Sequence, residues 1–282
     1  MTQPTVVLLD SGVGGLSVYS AIRARALPCS LVYCADAAHF PYGTKSDQEL
    51  VAIVTRVADA LVARFAPVVF VVACNTASTL VLPILRARFP EVAFVGTVPA
   101  IKPAAAISKS RVIGLLATEA TVRGAYVDSL ASDYASDCRL LRAGSRGLVQ
   151  LAERKMAGDI PQPEEVLREI VPLFDEAARV EKETGARMDA VVLGCTHFPL
   201  LADVMRSVAP WETHWIDSSP AIARRVEALL AGLISPGSFP MQEESARHPI
   251  AVFTGSVPTA HAYLAALSAY GFSRHETLPL GI

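Results

Sequence analysis

Two short stretches constrain this chain more than any others: VVFVVACNTAS at residues 68–78 and DAVVLGCTHFP at residues 189–199. Each opens with a run of Val, Ala and Leu of the kind that fills a strand buried on both faces of a parallel sheet. Each run ends in a cysteine followed by small polar residues, Cys74-Asn75-Thr76 in one and Cys195-Thr196-His197 in the other. An apolar helical pattern then begins. Each thiol is therefore expected where a parallel strand meets its helix, at the carboxyl edge of the sheet, where open α/β folds hold ligands. The positive end of a helix dipole there favours thiolate. The two stretches also head a longer repeat. Pro99-Ala100-Ile101 begins 25 residues after Cys74, and Pro220-Ala221-Ile222 begins 25 residues after Cys195. That spacing is too long for a solenoid and predicts two similar halves.

The length of 282 residues exceeds what one core usually spans, so two domains are expected. Hydrophobic residues at 52% and charged residues at 18% suit a well-buried α/β enzyme and exclude a disordered chain. A net charge of −2 gives no electrostatic basis for binding nucleic acid or a membrane surface. No apolar run reaches membrane-spanning length. Thr2-Gln3-Pro4 leads directly into a strand, without a signal-peptide pattern, so the cytoplasm is the expected compartment. The five cysteines are odd in number and none forms a CxxC, which points to free thiols and neither a disulfide framework nor a zinc site. Cys34, inside an apolar run, reads as a small core residue.

Taken in order, Thr5–Leu9 reads as the first strand and runs into Asp10-Ser11-Gly12-Val13-Gly14-Gly15, then a helix from Ser17 to Ala26. The glycine-rich turn lacks the Gly-Lys-Ser/Thr of a Walker motif, and it is not a clean dinucleotide fingerprint. Asp10 disfavours a phosphate there. It can orient an ammonium group or tune a base, or, with Ser11, simply cap the helix. Leu31–Ala35 is a second strand, followed by the turn Pro41-Tyr42-Gly43, which could border a small polar ligand or be an ordinary surface turn. A helix is expected over Asp47–Phe65, a strand over Glu91–Val95 and a helix over Ala100–Ser108. A fresh strand over Arg111–Leu116 leads to Thr118-Glu119-Ala120-Thr121, an echo of the opening strand and turn. Helices follow over Gly147–Ala157, which carries Glu153, and over Pro163–Gly185. The acids Glu164, Glu165, Glu169, Asp175 and Glu176 of the second helix read as a solvated face. Trp215–Ser218 ends another strand, Pro220–Leu230 is helical, Ile234–His248 reads as a loop, and Ile250–Thr254 and Thr259–Tyr270 close the chain as strand and helix. The expected partition is 1–98 with 211–282 as a first domain, and 99–210 as a second.

Two strand-end thiols admit several chemistries. A Cys–His hydrolase could use Cys195 with His197 but leaves Cys74 without a role. A redox pair needs the sulfurs at bonding distance, which spacing neither favours nor excludes. A two-base proton transfer uses both: one thiolate takes a Cα proton from one face of a substrate, and the other thiol returns a proton to the opposite face. A non-catalytic protein that recognises a small amino acid is the rival from another class.

Asp10-Ser11-Gly12-Val13-Gly14-Gly15-Leu16, Pro41-Tyr42-Gly43, Ala73-Cys74-Asn75-Thr76-Ala77-Ser78 and Leu193-Gly194-Cys195-Thr196-His197-Phe198-Pro199 together resemble the cofactor-independent aspartate/glutamate racemase family, in particular its glutamate racemases. The resemblance implies two similar parallel-sheet α/β domains related by pseudo-symmetry, with the active site in the cleft between them. It implies interconversion of L- and D-glutamate for peptidoglycan, without pyridoxal phosphate or metal. By the same resemblance, Cys74 handles the proton of D-glutamate and Cys195 that of L-glutamate, with Asp10 supporting the first and His197 the second. Ser11, Tyr42, Gly43, Asn75, Thr76, Thr118, Thr121, Thr196 and His197 hold the substrate, Asp10 beside them, and Glu153 matches an acidic position that assists a thiol. The chain departs from the family in its middle: Ala117 stands where glycine is common, and Gly144-Ser145-Arg146-Gly147 replaces a Cys-Pro element. An aspartate racemase or a one-cysteine decarboxylase is the nearest alternative. The expected partner is the small-molecule substrate alone, with no nucleic acid and no membrane; the oligomeric state stays open, a homodimer included.

Overall fold

A computed structural model describes residues 3–233, 249–256 and 261–280. The loop expected over Ile234–His248, and the first two residues of the helix expected from Thr259, lie outside the described residues. The chain forms two compact units: Met1–Thr97 with Met156–Gly158 and Ser219–Ile282, and Val98–Lys155 with Asp159–Ser218.

The opening stretch is a strict alternation of strand and helix: β1 (Thr5–Asp10), α1 (Leu16–Arg23), β2 (Ser30–Ala35), α2 (Asp47–Phe65), β3 (Val69–Val72), α3 (Asn75–Arg88) and β4 (Ala93–Gly96). The local causes are plain for α2. Ser46 and Glu49 form a capping box, and Leu50, Val54, Val57, Ala58 and Leu61 recur at helical spacing on its buried face. Val69–Val72 is buried at every position, as a strand covered on both faces must be. The second unit also places helices between its strands, two of them in each of the first two connections: α4 (Ile101–Ile107), β5 (Val112–Ala117), α5 (Glu119–Arg123), α6 (Ala125–Tyr134), β6 (Arg139–Gly144), α7 (Gly147–Met156), α8 (Pro163–Thr184), β7 (Ala190–Leu193), α9 (Ala202–Val208) and β8 (His214–Ile216). The chain then returns to the first unit with α10 (Ser219–Leu233), β9 (Ile250–Thr254), α11 (His261–Ala269) and β10 (Arg274–Leu278). Among the described residues no helix is long and apolar enough to cross a membrane.

Strand order makes the duplication concrete. One sheet runs β10-β9-β2-β1-β3-β4 and the other β6-β5-β7-β8, and the recorded pairings are parallel. Four consecutive strands of the first sheet, β2-β1-β3-β4, which end at the edge opposite β10, have the order of β6-β5-β7-β8. Leu9 pairs with Val72 as Leu116 pairs with Leu193. Beyond these pairs the Ala73 amide donates to Leu9 O at 2.7 Å, and the Gly194 amide to Leu116 O at 2.8 Å. Cys74 and Cys195 therefore follow equivalent strands at equivalent register.

Three features differ from the sequence reading. The domain break expected at 210/211 falls instead after Ser218, because β8 pairs with β7 and belongs to the second sheet. Two strands, β6 and β10, carry no strand expectation. Both are sheet edges, and both mix charge into the run: RLLRAG holds Arg139 and Arg142, and RHETL holds three charged or titratable side chains. Charged edge strands resist pairing with other chains, and they lose the apolar signature for the same reason. The segment after Cys195 is not an α-helix at its start. Phe198–Leu201 forms a 3-10 turn with Pro199 in it, and α9 begins only at Ala202.

Candidate active site

In the first unit, β1 ends in Asp10, which is fully buried. Its Oδ1 accepts the Ser11 amide at 2.7 Å and its Oδ2 accepts the Gly15 amide at 2.6 Å, folding the glycine-rich turn around the carboxylate. This is not helix capping in the expected sense, since the N-cap of α1 is Gly15 and no side chain caps it. Gly15 is required by closeness: a Cβ there would lie 3.0 Å from Ala73 Cβ, from Asp10 Cβ and from the Tyr33 ring. The Tyr33 hydroxyl closes the turn from the other side by donating to Gly12 O at 2.5 Å. Because β1 neighbours β3, this turn stands beside the Cys74 turn.

Cys74 is the N-cap of α3, a helix of 14 residues, and is 8% exposed. Its thiol therefore sits at a full helix N-terminus, as the sequence predicts. The turn is locked from behind. The Ser78 and Thr97 hydroxyls both donate to Val72 O at 3.0 Å, and the Thr97 amide donates to Ser78 Oγ at 2.9 Å. Asn75, 3% exposed, differs from its neighbours. Among the described residues, its Oδ1 and its Nδ2 are buried without a hydrogen-bond partner. An unmet buried amide costs about 1–3 kcal/mol, so a group that supplies both a donor and an acceptor would be bound there to advantage. Thr76 follows on the first turn of α3.

Tyr42 lies in a 3-10 turn, Tyr42–Thr44, beyond a cis Phe40–Pro41 peptide, and is buried. Its hydroxyl donates to Asp36 Oδ2 at 2.7 Å. Burial, and then the Asp36 carboxylate, push the phenol well above its ordinary range, so it remains a donor. Asp36 is a fully buried hub that also takes His39 Nδ1 at 2.7 Å and the Thr254 hydroxyl. Sequence reading passed over Asp36, although an acid directly after a strand at the carboxyl edge is a signal of the same kind as Asp10. Gly43 follows Tyr42 in that turn.

In the second unit, Cys195 is 6% exposed, and Thr196 and His197 beside it are equally buried. Its sulfur lies 3.9 Å from His197 Nδ1, and His197 Nε2 lies 2.9 Å from Glu153 Oε1 on α7. A thiol, an imidazole and a carboxylate thus form a line along which a proton can move. Lys155, two residues beyond Glu153, donates to Leu200 O at 2.7 Å and ties α7 to the turn that follows the cysteine. Nothing in the sequence marks Lys155, because a lysine bonded to a main-chain oxygen has no pattern of its own. Thr118 follows β5 as Asp10 ends β1. Its hydroxyl accepts the Thr121 amide at 3.2 Å, capping α5, and donates to Thr121 Oγ1 at 3.0 Å.

One expectation is corrected here. Glu165 and Glu169 are not merely solvated: Glu165 accepts from Arg154 Nη1 at 2.8 Å, and Glu169 accepts from the Ser145 hydroxyl at 2.6 Å. The other three cysteines are chemically quiet. Burial pushes Cys29 up to about 12 and Cys34 well above its ordinary value, the second helped by Asp36, while burial also raises Cys138. All five cysteines are free. Among the described residues no three His, Cys, Asp or Glu side chains are grouped to hold a metal ion.

Comparison with known proteins agrees with this geometry. Residues 15–226 match the model of a family described as Asp/Glu/Hydantoin racemase. The glutamate racemase of Pectobacterium carotovorum is 41% identical over 282 residues, covering 99% of this chain and 93% of its own. That of Brucella canis is 40% identical over 253 residues, covering 90% of this chain and 87% of its own. Among solved structures, Escherichia coli glutamate racemase, in complex with L-glutamate and the activator UDP-MurNAc-Ala, superposes with a TM-score of 0.87 at 39% identity, covering 99% of this chain and 100% of that one. On a family match that spans well over half of its length, and on relatives of this identity, the chain belongs to the Asp/Glu/Hydantoin racemase family.

Proposed function

We propose that this chain is a glutamate racemase, interconverting L- and D-glutamate by proton transfer at Cα. Cys74 and Cys195 are the two bases, and they act on opposite faces of the same carbon. The observation that carries the reading is the pair of buried thiols at equivalent strand ends of two like-ordered sheets, Cys74 at a helix N-terminus and Cys195 beside the His197 imidazole. The relatives named above, one of them solved with L-glutamate, fix the substrate class.

From L-glutamate, the Cys195 thiolate takes the Cα hydrogen as a proton, and the electron pair of that bond passes towards the α-carboxylate. The Cys74 thiol then donates its proton to the opposite face, giving D-glutamate and a Cys74 thiolate. Atoms and charge balance, and the two thiols have exchanged roles. The reverse reaction starts at Cys74. His197 and Glu153 carry the proton that returns Cys195 to its starting state, and Asp10 serves the Cys74 side. The Cα proton is weakly acidic, so charge on the α-carboxylate must be met by donors in place before reaction. Ser11, Asn75, Thr76, Thr118, Thr121, Thr196 and the turn at Tyr42-Gly43 are those donors, with Asn75 the clearest, since both ends of its amide await a partner. We assign no cofactor and no metal, and a cytoplasmic role in supplying D-glutamate for peptidoglycan.

The test is the optical rotation of pure L-glutamate incubated with the protein after dialysis against a strong chelator. We expect decay to zero rotation without added cofactor. A stable signal overturns the assignment. In deuterium oxide, D-glutamate formed early should carry deuterium at Cα while the remaining L-glutamate stays protiated, and protiated early product would point to a single base.

A further inference from the structure

Cys195 depends on a carboxylate that reaches it from another element. Glu153 is carried by α7, so whatever fixes the start and tilt of that helix fixes the distance from Glu153 to His197. Between the end of β6 and the start of α7 lies Ser145, which is 3% exposed. The Ser145 amide donates to Ala117 O at 2.9 Å, anchoring this residue to the end of β5. Its hydroxyl works in both directions. It accepts the Leu148 amide at 3.0 Å, an otherwise unpaired donor in the first turn of α7, and it donates to Glu169 Oε2 on α8 at 2.6 Å. That second bond is short and runs to a carboxylate, the stronger kind of hydrogen bond. Gly147, the first residue of α7, lies against the same carboxylate. A Cβ there would come within 2.2 Å of Glu169 Oε1, so any larger residue at this position would push that carboxylate aside.

We propose that Ser145 and Glu169 are positioning residues for the Cys195 half of the reaction. They set the N-terminus of α7 against α8 and thereby aim Glu153 at His197. The inference rests on the proposed racemase reading, in which Cys195 removes the proton of L-glutamate. Both residues act through Glu153 and His197. The pair also accounts for the sequence Gly144-Ser145-Arg146-Gly147, whose serine and second glycine are each used in the clamp.

A residue that only stabilised the fold would lower the melting temperature and leave both isotope effects unchanged. A positioning residue on the Cys195 side changes which proton transfer limits the rate. The test is the primary deuterium isotope effect on kcat/KM, measured separately with L- and D-glutamate deuterated at Cα, well below the melting temperature. In Ser145→Ala we expect turnover to fall by about tenfold, within what a sub-ångström misplacement costs. We expect the isotope effect to rise for L-glutamate and fall for D-glutamate. Gly147→Ala should show the same asymmetry, and combining it with Glu169→Ala should add little to Glu169→Ala alone, because the side chain it strikes is gone. Should Ser145→Ala not accumulate as folded protein, Glu169→Gln carries the same readout with the side-chain shape kept. Wild-type protein that does not racemise glutamate overturns the functional reading and this inference together. Wild-type racemisation with an unmoved isotope-effect ratio in these variants overturns the positioning role alone.

Discussion

Cys74 and Cys195 follow equivalent strands, yet the two halves prepare their thiols by different means. Cys74 caps a helix of 14 residues and so sits at a full macrodipole. Cys195 is followed by a four-residue 3-10 turn, too short to carry such a field, and has instead an imidazole 3.9 Å away, backed by a carboxylate. The strand-end position next door differs in the same sense. Asp10 ends β1 as a buried acid wrapped by backbone amides, whereas the equivalent turn after β5 carries the Thr118–Thr121 pair. The neighbouring strand ends also correspond. The amides of Asp36 and Ser145 donate to Asp10 O and Ala117 O, at 2.7 and 2.9 Å. One half uses that place for a buried carboxylate that holds Tyr42, the other for a hydroxyl that starts a helix. A duplicated backbone has thus kept its strand-end positions and exchanged the proton chemistry placed on them. For a reaction in which two mirror-related faces of one carbon must be served, like scaffolds supply the symmetry and unlike partners supply the tuning.

The largest effect that could break this comparison is loss of either thiol. Cys74→Ala and Cys195→Ala should each lower racemisation by about a thousandfold or more, the scale of a lost general acid or base. The circular dichroism spectrum should stay native. Substantial turnover by one mutant would mean that the two turns are alike in structure only.

Smaller changes separate the two partners. Asp10→Asn and His197→Asn should each cost about ten- to a hundredfold in turnover. Their isotope effects should move in opposite senses, Asp10→Asn raising the effect for D-glutamate and His197→Asn that for L-glutamate. The equilibrium between enantiomers stays where it is, since a catalyst cannot shift it. Identical responses in both directions would show that the acid and the imidazole do not belong to separate sides.

The smallest expected difference lies away from the chemistry, at the opposite ends of the same strands. In the second unit Asp189 precedes β7 and accepts from Ser108 Oγ at 2.7 Å and from the Lys109 and Ser110 amides at 2.7 and 2.9 Å. Burial opposes its ionisation, but the hydrogen bonds from Ser108, Ser110 and Lys109 outweigh burial and hold the carboxyl below its ordinary value. A depressed carboxyl stabilises the fold above its unfolded-state pKa, and that stability is lost as pH falls through the folded value. At the matching place before β3 the first unit has Val68, which cannot titrate. Amide exchange followed from pH 5 downward should therefore show the loop 108–111 and β5 loosening before β1. Asp189→Asn should remove that difference, and equal loosening in wild type would deny Asp189 this role.

Much of this was legible in the sequence because it is local or repeated. Runs such as VVFVVA and DAVVLG specify buried parallel strands whatever surrounds them. The recurrence of Pro-Ala-Ile 25 residues after each cysteine announced two halves, and the apolar spacing over Asp47–Phe65 announced α2. Cys74, Cys195, Asp10 and His197 could be proposed as site residues from the sequence because each stands at or next to a strand end. Contacts between elements far apart in the chain were decided only by the tertiary structure. Glu153 lies 44 residues from His197, and Glu169 lies 24 from Ser145. An acid on an amphipathic helix looks solvated until the neighbouring helix is in place. The edge strands β6 and β10 and the membership of β8 were decided there too, since an edge is defined by which strand is absent beside it and carries no apolar run of its own.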